Sequence, residues 1–369
     1  MMKKIVIANT LKPVDDVRAF EKLAQSMAKT NKYEVNIIGN EGKKESGHPL
    51  ISFHPHQLSK FTDLQRLYMR HKTLKRIITL SPHVLIVTTH EYLLIGIFYK
   101  IFFQCKLIYD VQEDYKKNLL HISKQHLLKK IMATTIRLKE IFSQPFIDQY
   151  WLAEATYASD LKFTVKKSTV LENKACISNL NLTNTPNTPS NQLLFSGTIS
   201  HYSQVLLAVG VFEKINSKRN NLTLKIIGQC HDLNLLETLK GLADKNDQIL
   251  LEISKEPISH DRILSAIHAS LLGIIAYQEN PVNRNKVPTK LYEYSMYQLP
   301  YVIQQQTSWA TKGRNLGGAI PIDFMNPDVE FILHQLDQTQ TLFPSNYPES
   351  ETWESLEGAL FKSIDTLFK

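Results

Sequence analysis

Short apolar runs alternate with amphipathic stretches through most of the chain, and the order of that alternation predicts a parallel α/β architecture. Residues 3–8 (KKIVIA) make an apolar run of strand length. Residues 17–30 follow with Phe20, Leu23, Ala24 and Met27 at helical spacing, and residues 33–38 (YEVNII) return to strand character. A strand–helix–strand run of this kind implies a parallel sheet with helices on its faces. Residues 61–81 predict a basic helix whose buried side carries Leu67, Leu74 and Ile77. A strand at 84–88 (VLIVT) precedes an apolar helix at 92–103 (YLLIGIFYKIFF). At about three turns that helix is too short to span a bilayer; it is expected to be buried, with an apolar patch that touches lipid as the alternative. Residues 106–111 (KLIYDV) form the next strand. The basic stretch 116–130, with His121 and His126, forms a loop or helix, and 131–143 is helical.

Residues 178–191 (SNLNLTNTPNTPSN) hold few large apolar side chains and read as an interdomain linker. Strand–helix alternation then resumes. Strands fall at 193–196, 222–227, 249–252, 271–276 and 301–303, with helices at 205–216, 231–242, 259–269 and from Pro288 onward. That order predicts a second doubly wound sheet. Residues 353–368 form an amphipathic end helix. The expected organisation is a first domain at 1–177, the linker at 178–191, a second domain at 192–350 and a terminal segment at 351–369 that packs back on the first domain.

A length of 369 residues supports two cores. Apolar content of 43% and charged content of 21% are those of an ordinary globular chain. The net charge of +8 favours acidic partners such as nucleotide phosphates, nucleic acid or an anionic membrane face. Nucleic acid fits poorly, because the basic residues are not interleaved with aromatics as in a stacking platform. Cys105, Cys176 and Cys230 form no close pair and no metal pattern, which points to a reducing compartment. Residues 1–9 lack the long apolar core of a signal peptide, so a cytoplasmic location is expected. The loop at 9–16 has no GxGxxG fingerprint.

The chemistry concentrates in residues 279–303 (ENPVNRNKVPTKLYEYSMYQLPYVI). The amides and dipole of a helix starting near Pro288 favour an anion, and Lys290 adds a full positive charge. Glu293 lies within the first two turns, where its carboxylate can accept from a diol. An anion site beside a diol acceptor suits a nucleoside diphosphate. In a doubly wound sheet, ligands sit at the carboxyl ends of strands, where Gly197, Gly228, Tyr277 and the Pro288 helix start would meet. Gly197 lets a phosphate approach a backbone without a side chain. On these residues alone a second reading stands beside the first: two surface charges next to a capped helix.

Residues 288–303 (PTKLYEYSMYQLPYVI) resemble the P-x-K-L-x-E-Y-x-x-x-x-x-P signature of GT4-type glycosyltransferases. KLIYDVQEDY resembles that family's Y-D-V-H-E segment, DDVRAFEKLAQSMA its opening helix, FIDQYWLAEAT the close of its first domain and WESLEGALFKSIDTLF its final segment. The resemblance implies a GT-B fold, two Rossmann-like doubly wound domains facing a cleft. It implies a retaining, metal-independent hexosyltransferase with no cofactor beyond a UDP- or GDP-linked sugar donor. The acceptor would be a glycan or a lipid-linked molecule in bacterial surface polysaccharide synthesis. The enzyme would work in the cytoplasm, in peripheral contact with the anionic inner face of the plasma membrane. By the same resemblance Glu293 holds the donor ribose. Gly197, Thr198, Gly228, Tyr277, Pro288, Thr289, Lys290 and Leu291 line the donor site, and His90, Gln112 and Lys290 are the catalytic set. The chain departs from the pattern in several places. Gln112 replaces a His, Asn285 an acidic residue and Gln298 a Gly, while Thr198 and the 202–204 stretch stand where donor-loop cations are usual. Lys290, with Lys286 or Arg284, is then left to supply the charge. These departures motivate the alternative of a non-catalytic homologue that binds nucleotide sugar or serves as a scaffold.

Overall fold

In the computed structural model of the chain the described residues form thirteen strands, all paired in parallel, in two sheets. The structure describes residues 2–56, 63–122, 127–164, 167–177, 191–280, 283–284 and 286–369. The expected linker at 178–191 lies outside the described residues except for Asn191, as do Asn285, His126 and the side chains of Leu67 and His121. The chain divides into two units: Met1–Asn173 joined by Ser355–Lys369, and Lys174–Glu354.

In the first unit the sheet order is β3-β2-β1-β4-β5-β6-β7. The strands are β1 (Lys3–Pro13), β2 (Tyr33–Asn40), β3 (Ile51–His56), β4 (Val84–Val87), β5 (Lys106–Val111), β6 (Gln149–Leu152) and β7 (Ser168–Val170). In the second unit the order is β10-β9-β8-β11-β12-β13. Here the strands are β8 (Gln192–Thr198), β9 (Thr223–Gln229), β10 (Ile249–Ser254), β11 (Leu272–Ile275), β12 (Tyr301–Gln304) and β13 (Ala319–Ile322). Both orders reverse once, between β1 and β4 and between β8 and β11. That is the doubly wound arrangement, whose crevice opens at the carboxyl ends of the strands beside the reversal.

The apolar runs explain the double winding. Neighbouring residues of β8, β9, β11 and β12 go to opposite faces: Phe195, Ile226, Ile274 and Val302 pack into one core, and Leu194, Ile227, Ile275 and Ile303 into the other. A strand apolar on both faces needs a helical layer on each side.

Two of the predicted helices differ in character from the sequence reading. The helix expected at 17–30 begins as a π-helical stretch, Val17–Ala24, and becomes α-helical at Gln25–Lys29. The apolar helix Leu93–Phe103, expected to be buried, buries only Leu93, Gly96 and Tyr99. Ile95 and Ile97 are partly buried against the core, and Leu94, Phe98, Ile101, Phe102 and Phe103 are exposed. The sheet offers one face to lie on, and Gly96 brings the helix so close that a Cβ there would meet Leu107 Cδ1 at 2.7 Å. No described element covers the opposite side.

A buried ion pair ties the first unit together. Arg18 donates from Nε and Nη2 to Asp110, with Nη2 at 2.6 Å from Oδ1, and from Nη1 to the Leu171 carbonyl at 2.7 Å. Nη1 also reaches Asn173 Oδ1 at 3.0 Å. The pair links the helix after β1 to the end of β5 and the segment after β7. The terminal segment closes the same unit: Ser363 Oγ accepts from the Trp151 indole at 2.9 Å, and Glu357 accepts from Ser26 at 2.7 Å. Removing one partner of a buried pair strands the other charge. Arg18→Ala should therefore lower the stability of the full chain in urea unfolding by about 3–5 kcal/mol.

Candidate functional site

The site in the second unit is built on two glycines at neighbouring strand ends. Gly197 and Gly228 are register partners at the ends of β8 and β9, with φ of +94° and +156°. A Cβ on Gly228 would lie 1.7 Å from the Gly197 carbonyl oxygen. A Cβ on Gly197 would meet Lys290 Nζ at 2.5 Å, so the ammonium occupies the space that this glycine leaves. Thr198, the last residue of β8, is exposed beside it.

Lys290 is the second residue of the helix Thr289–Met296, for which Pro288 is the cap with extended ψ of 129°. Pro288 thus stands just outside the first turn rather than within it. Leu291 is fully buried, and Tyr294 and Ser295 fasten the helix through Ser196 Oγ at 2.9 Å and the Gly317 carbonyl at 2.6 Å. With the helix pinned on that side, Thr289 is exposed and Lys290 turns to the strand ends. There its Nζ donates to the Tyr277 hydroxyl at 2.6 Å. Gly197, Gly228, Tyr277 and Lys290, separated by up to 93 positions of sequence, converge at the carboxyl ends of β8, β9 and β11 (290 − 197 = 93).

Glu293 lies one turn along the same helix. Its Oε1 accepts from His260 Nε2 at 3.1 Å, and both side chains are largely buried, at 16% and 11% exposed. His260 opens the helix His260–His268 that follows β10. Sequence reading placed it at a helix start and gave it no role; the separation of 33 residues hides the pair. The only available signal was a histidine at the carboxyl edge of a parallel strand.

The loop between Tyr277 and Pro288 is held at several points. Asn280 and Asn283 bond reciprocally, and Trp309 donates to the Lys286 carbonyl. Glu279 accepts from the Ser308 amide and hydroxyl at 2.9 and 2.8 Å, which engages it at the start of the helix Ser308–Leu316. Arg284 is exposed. At the far end of the central helix, Gln298 has φ of +54°, a left-handed conformation in which glycine is unstrained.

The sequence-predicted residues of the first unit also lie at strand ends. His90 follows β4 and packs edge-on against Tyr115 with ring centroids 4.8 Å apart. Its Nδ1 is buried without a hydrogen-bond partner. Burial, with Lys139 and Arg70 nearby, pushes the imidazole down to about 4. Gln112 follows β5 and is used at both ends of its amide: Nε2 donates to Asp110 Oδ2 at 2.7 Å, and Oε1 accepts from Lys12 Nζ. It thereby extends the Arg18–Asp110 pair to the sheet edge. Glu140, beneath this edge, accepts from the Tyr109 hydroxyl at 3.0 Å. Burial pushes its carboxyl up to about 7 against the opposing pull of Arg137.

Chemically, the second-unit cluster offers one ammonium over a bare peptide and one oriented carboxylate. The first can meet an anion, and the second can accept from hydroxyls. Among the described residues no group of three His, Cys, Asp or Glu side chains is placed to hold a metal ion.

Comparison with solved structures gives the fold class. A sucrose-phosphate synthase from Thermosynechococcus elongatus superposes with a TM-score of 0.66 at 10% identity, covering 99% of both chains. Anabaena Alr3699/HepE in complex with UDP and glucose superposes at 0.65 and 12% identity, covering 99% of this chain and 100% of that one. A trehalose 6-phosphate synthase from Burkholderia multivorans superposes at 0.62 and 9% identity, covering 100% and 99%. The chain thus has the GT-B fold, with a doubly wound parallel sheet in each unit. No family model matches the sequence, and a search of the curated proteins finds no match.

Two outcomes follow from the geometry. Gly228→Ala should abolish soluble folded protein, because backbone cannot retreat from a 1.7 Å contact, whereas Gly197→Ala should fold with a stability loss of about 1–3 kcal/mol, because the flexible Lys290 can move aside. Expression yield and urea unfolding of the two variants check the contrast. His90 stays neutral in the folded chain down to about pH 4 but protonates near 6.5 when unfolded, so its contribution is intact above 6.5 and is lost as pH falls toward 4. His90→Asn should therefore recover about 1 kcal/mol of the stability that the native chain loses between about pH 7 and pH 5, after discounting for solvent screening.

Proposed function

We propose that the chain is a glycosyltransferase that moves a hexosyl group from a nucleotide-sugar donor, UDP- or GDP-linked, to a glycan or lipid-linked acceptor. One observation carries the reading: Lys290 Nζ fills the space over Gly197 while Glu293, one turn on, is held by His260. The diphosphate lies beside Lys290, at the start of the Thr289–Met296 helix and next to the Gly197 turn, with Lys290 supplying the charge. The ribose hydroxyls donate to Glu293, and His260 fixes that carboxylate's orientation. The sugar contacts are assigned to His90 and Gln112, at strand ends of the first unit. The supporting likeness is to Anabaena Alr3699/HepE, solved with UDP and with UDP-glucose.

Catalysis in this reading is positioning plus charge stabilisation of the departing diphosphate. Lys290 supplies the positive charge beside Gly197 and Tyr277. Transfer proceeds with retention and without a metal, of the GT4 type. It serves surface polysaccharide synthesis in the cytoplasm, at the inner face of the plasma membrane.

A second reading, a nucleotide-sugar-binding or scaffold subunit without transfer activity, is favoured by Gln112, whose amide is engaged at both ends, and by Thr198 in the usual place of a cation. A screen of UDP, GDP and their sugars by thermal shift and donor hydrolysis separates the two. A scaffold without a nucleotide site gives no shift, and a binding subunit gives a shift without hydrolysis.

Glu293→Ala should weaken donor binding by about 10–100-fold, the worth of hydroxyl bonds to a charged acceptor, while lowering Tm by no more than about 2–4 °C. Calorimetric titration with UDP and a thermal melt measure both. Loss of folding would instead make the carboxylate structural.

A further inference from the structure

We propose that the helices Leu93–Phe103 and Leu127–Ser143 of the first unit form a docking face for an anionic lipid bilayer, flanked by the basic helix Asp63–Leu80. The Leu93–Phe103 helix lies against both of the others. Leu94, Phe98 and Phe102 recur at a spacing of four along it, which puts them on one face. Ile131, Leu138 and Phe142 line one stripe of the Leu127–Ser143 helix in the same way. All six are exposed, Phe102 at 65% and Phe142 at 73%. Phe98 and Phe102 touch each other, with ring centroids 4.6 Å apart, so the aromatics make a continuous surface rather than scattered side chains. Apolar area of this kind on a water-facing helix pair marks a surface that another phase or molecule covers.

The charge around it selects the occupant. On the basic helix the buried side is Met69, Thr73 and Ile77, which turns Lys72, Lys75 and Arg76 outward. Lys130 is exposed on the second apolar helix, and Glu140, its one carboxylate, is 1% exposed. Among the residues of the three helices whose side chains are described, every exposed charge is positive. A second copy of the chain meeting this face by a two-fold axis would bring like charge onto like charge. A bilayer with acidic headgroups instead takes the aromatic and aliphatic side chains at the acyl boundary and the ammonium groups at the phosphates. No described helix is long and apolar enough to cross a membrane, so the contact is interfacial. The face is made of first-unit residues alone and does not depend on the donor site being correctly read.

Co-sedimentation of the full chain with vesicles tests this. Mixed phosphatidylcholine–phosphatidylglycerol vesicles should bind the native chain, and pure phosphatidylcholine vesicles should bind it at least about tenfold less. The triple variant Phe98→Ser, Phe102→Ser, Phe142→Ser should lower partitioning into the mixed vesicles by about tenfold or more at unchanged Tm, since all three side chains are exposed. Reversing Lys72, Lys75 and Arg76 to Glu should remove the preference for acidic lipid. Native chain that ignores the mixed vesicles, or a triple variant that binds them as well as native, would overturn the proposal. So would a dimer in solution that the triple variant dissociates, which assigns the face to a second copy.

Discussion

The contact between Gly197 and Gly228 is the constraint on which the second unit is arranged. Two peptides at the ends of adjacent parallel strands come so near that neither residue can carry a side chain without displacing something. At Gly228 the obstacle is rigid backbone, and at Gly197 it is the ammonium of Lys290. That ammonium is positioned in turn by a helix whose opposite side is buried through Leu291, Tyr294 and Ser295. A glycine pair, a pinned helix and one tyrosine hydroxyl thus fix a charge beside the Gly197 peptide at the point where a doubly wound sheet opens. The chemistry is inexpensive in residues because the fold supplies most of the geometry.

The first unit reaches a similar arrangement by different means. A guanidinium buried with a carboxylate connects β5, the helix after β1 and the segment after β7, and Gln112 carries that network out to the strand edge. Buried pairs of this type contribute little net stability, but they punish any packing that leaves a charge alone. The Arg18–Asp110 pair therefore works as a register pin for the carboxyl edge that holds His90.

The sheets were legible because parallel strands are apolar on both faces and stand out as short continuous runs. β1, β4, β5, β8 and β11 each appear in the sequence as such a run. β13 did not, because Pro321 interrupts Ala319–Ile322; an edge strand tolerates the missing amide, and β13 ends its sheet. Gln298 departs from a glycine preference, and its positive φ shows what the preference serves. Lys290 and Glu293 were readable from their place at a helix start, whereas His260 was not, since a pairing across two elements leaves no local spacing. The Leu93–Phe103 helix was misjudged for a related reason: composition records how apolar a helix is but not how many of its sides the fold can cover.

The first unit is assembled from two pieces of sequence, and that has a consequence for how the polypeptide emerges from the ribosome. Trp151 waits for Ser363, and Ser26 for Glu357, so the sheet of the first unit is complete well before its covering helix exists. The whole intervening unit, Lys174–Glu354, must be translated in between. Domains generally fold in the order of their synthesis. Here the segment made first is finished last, and nascent chains stalled anywhere in the second unit would carry an unsealed first one.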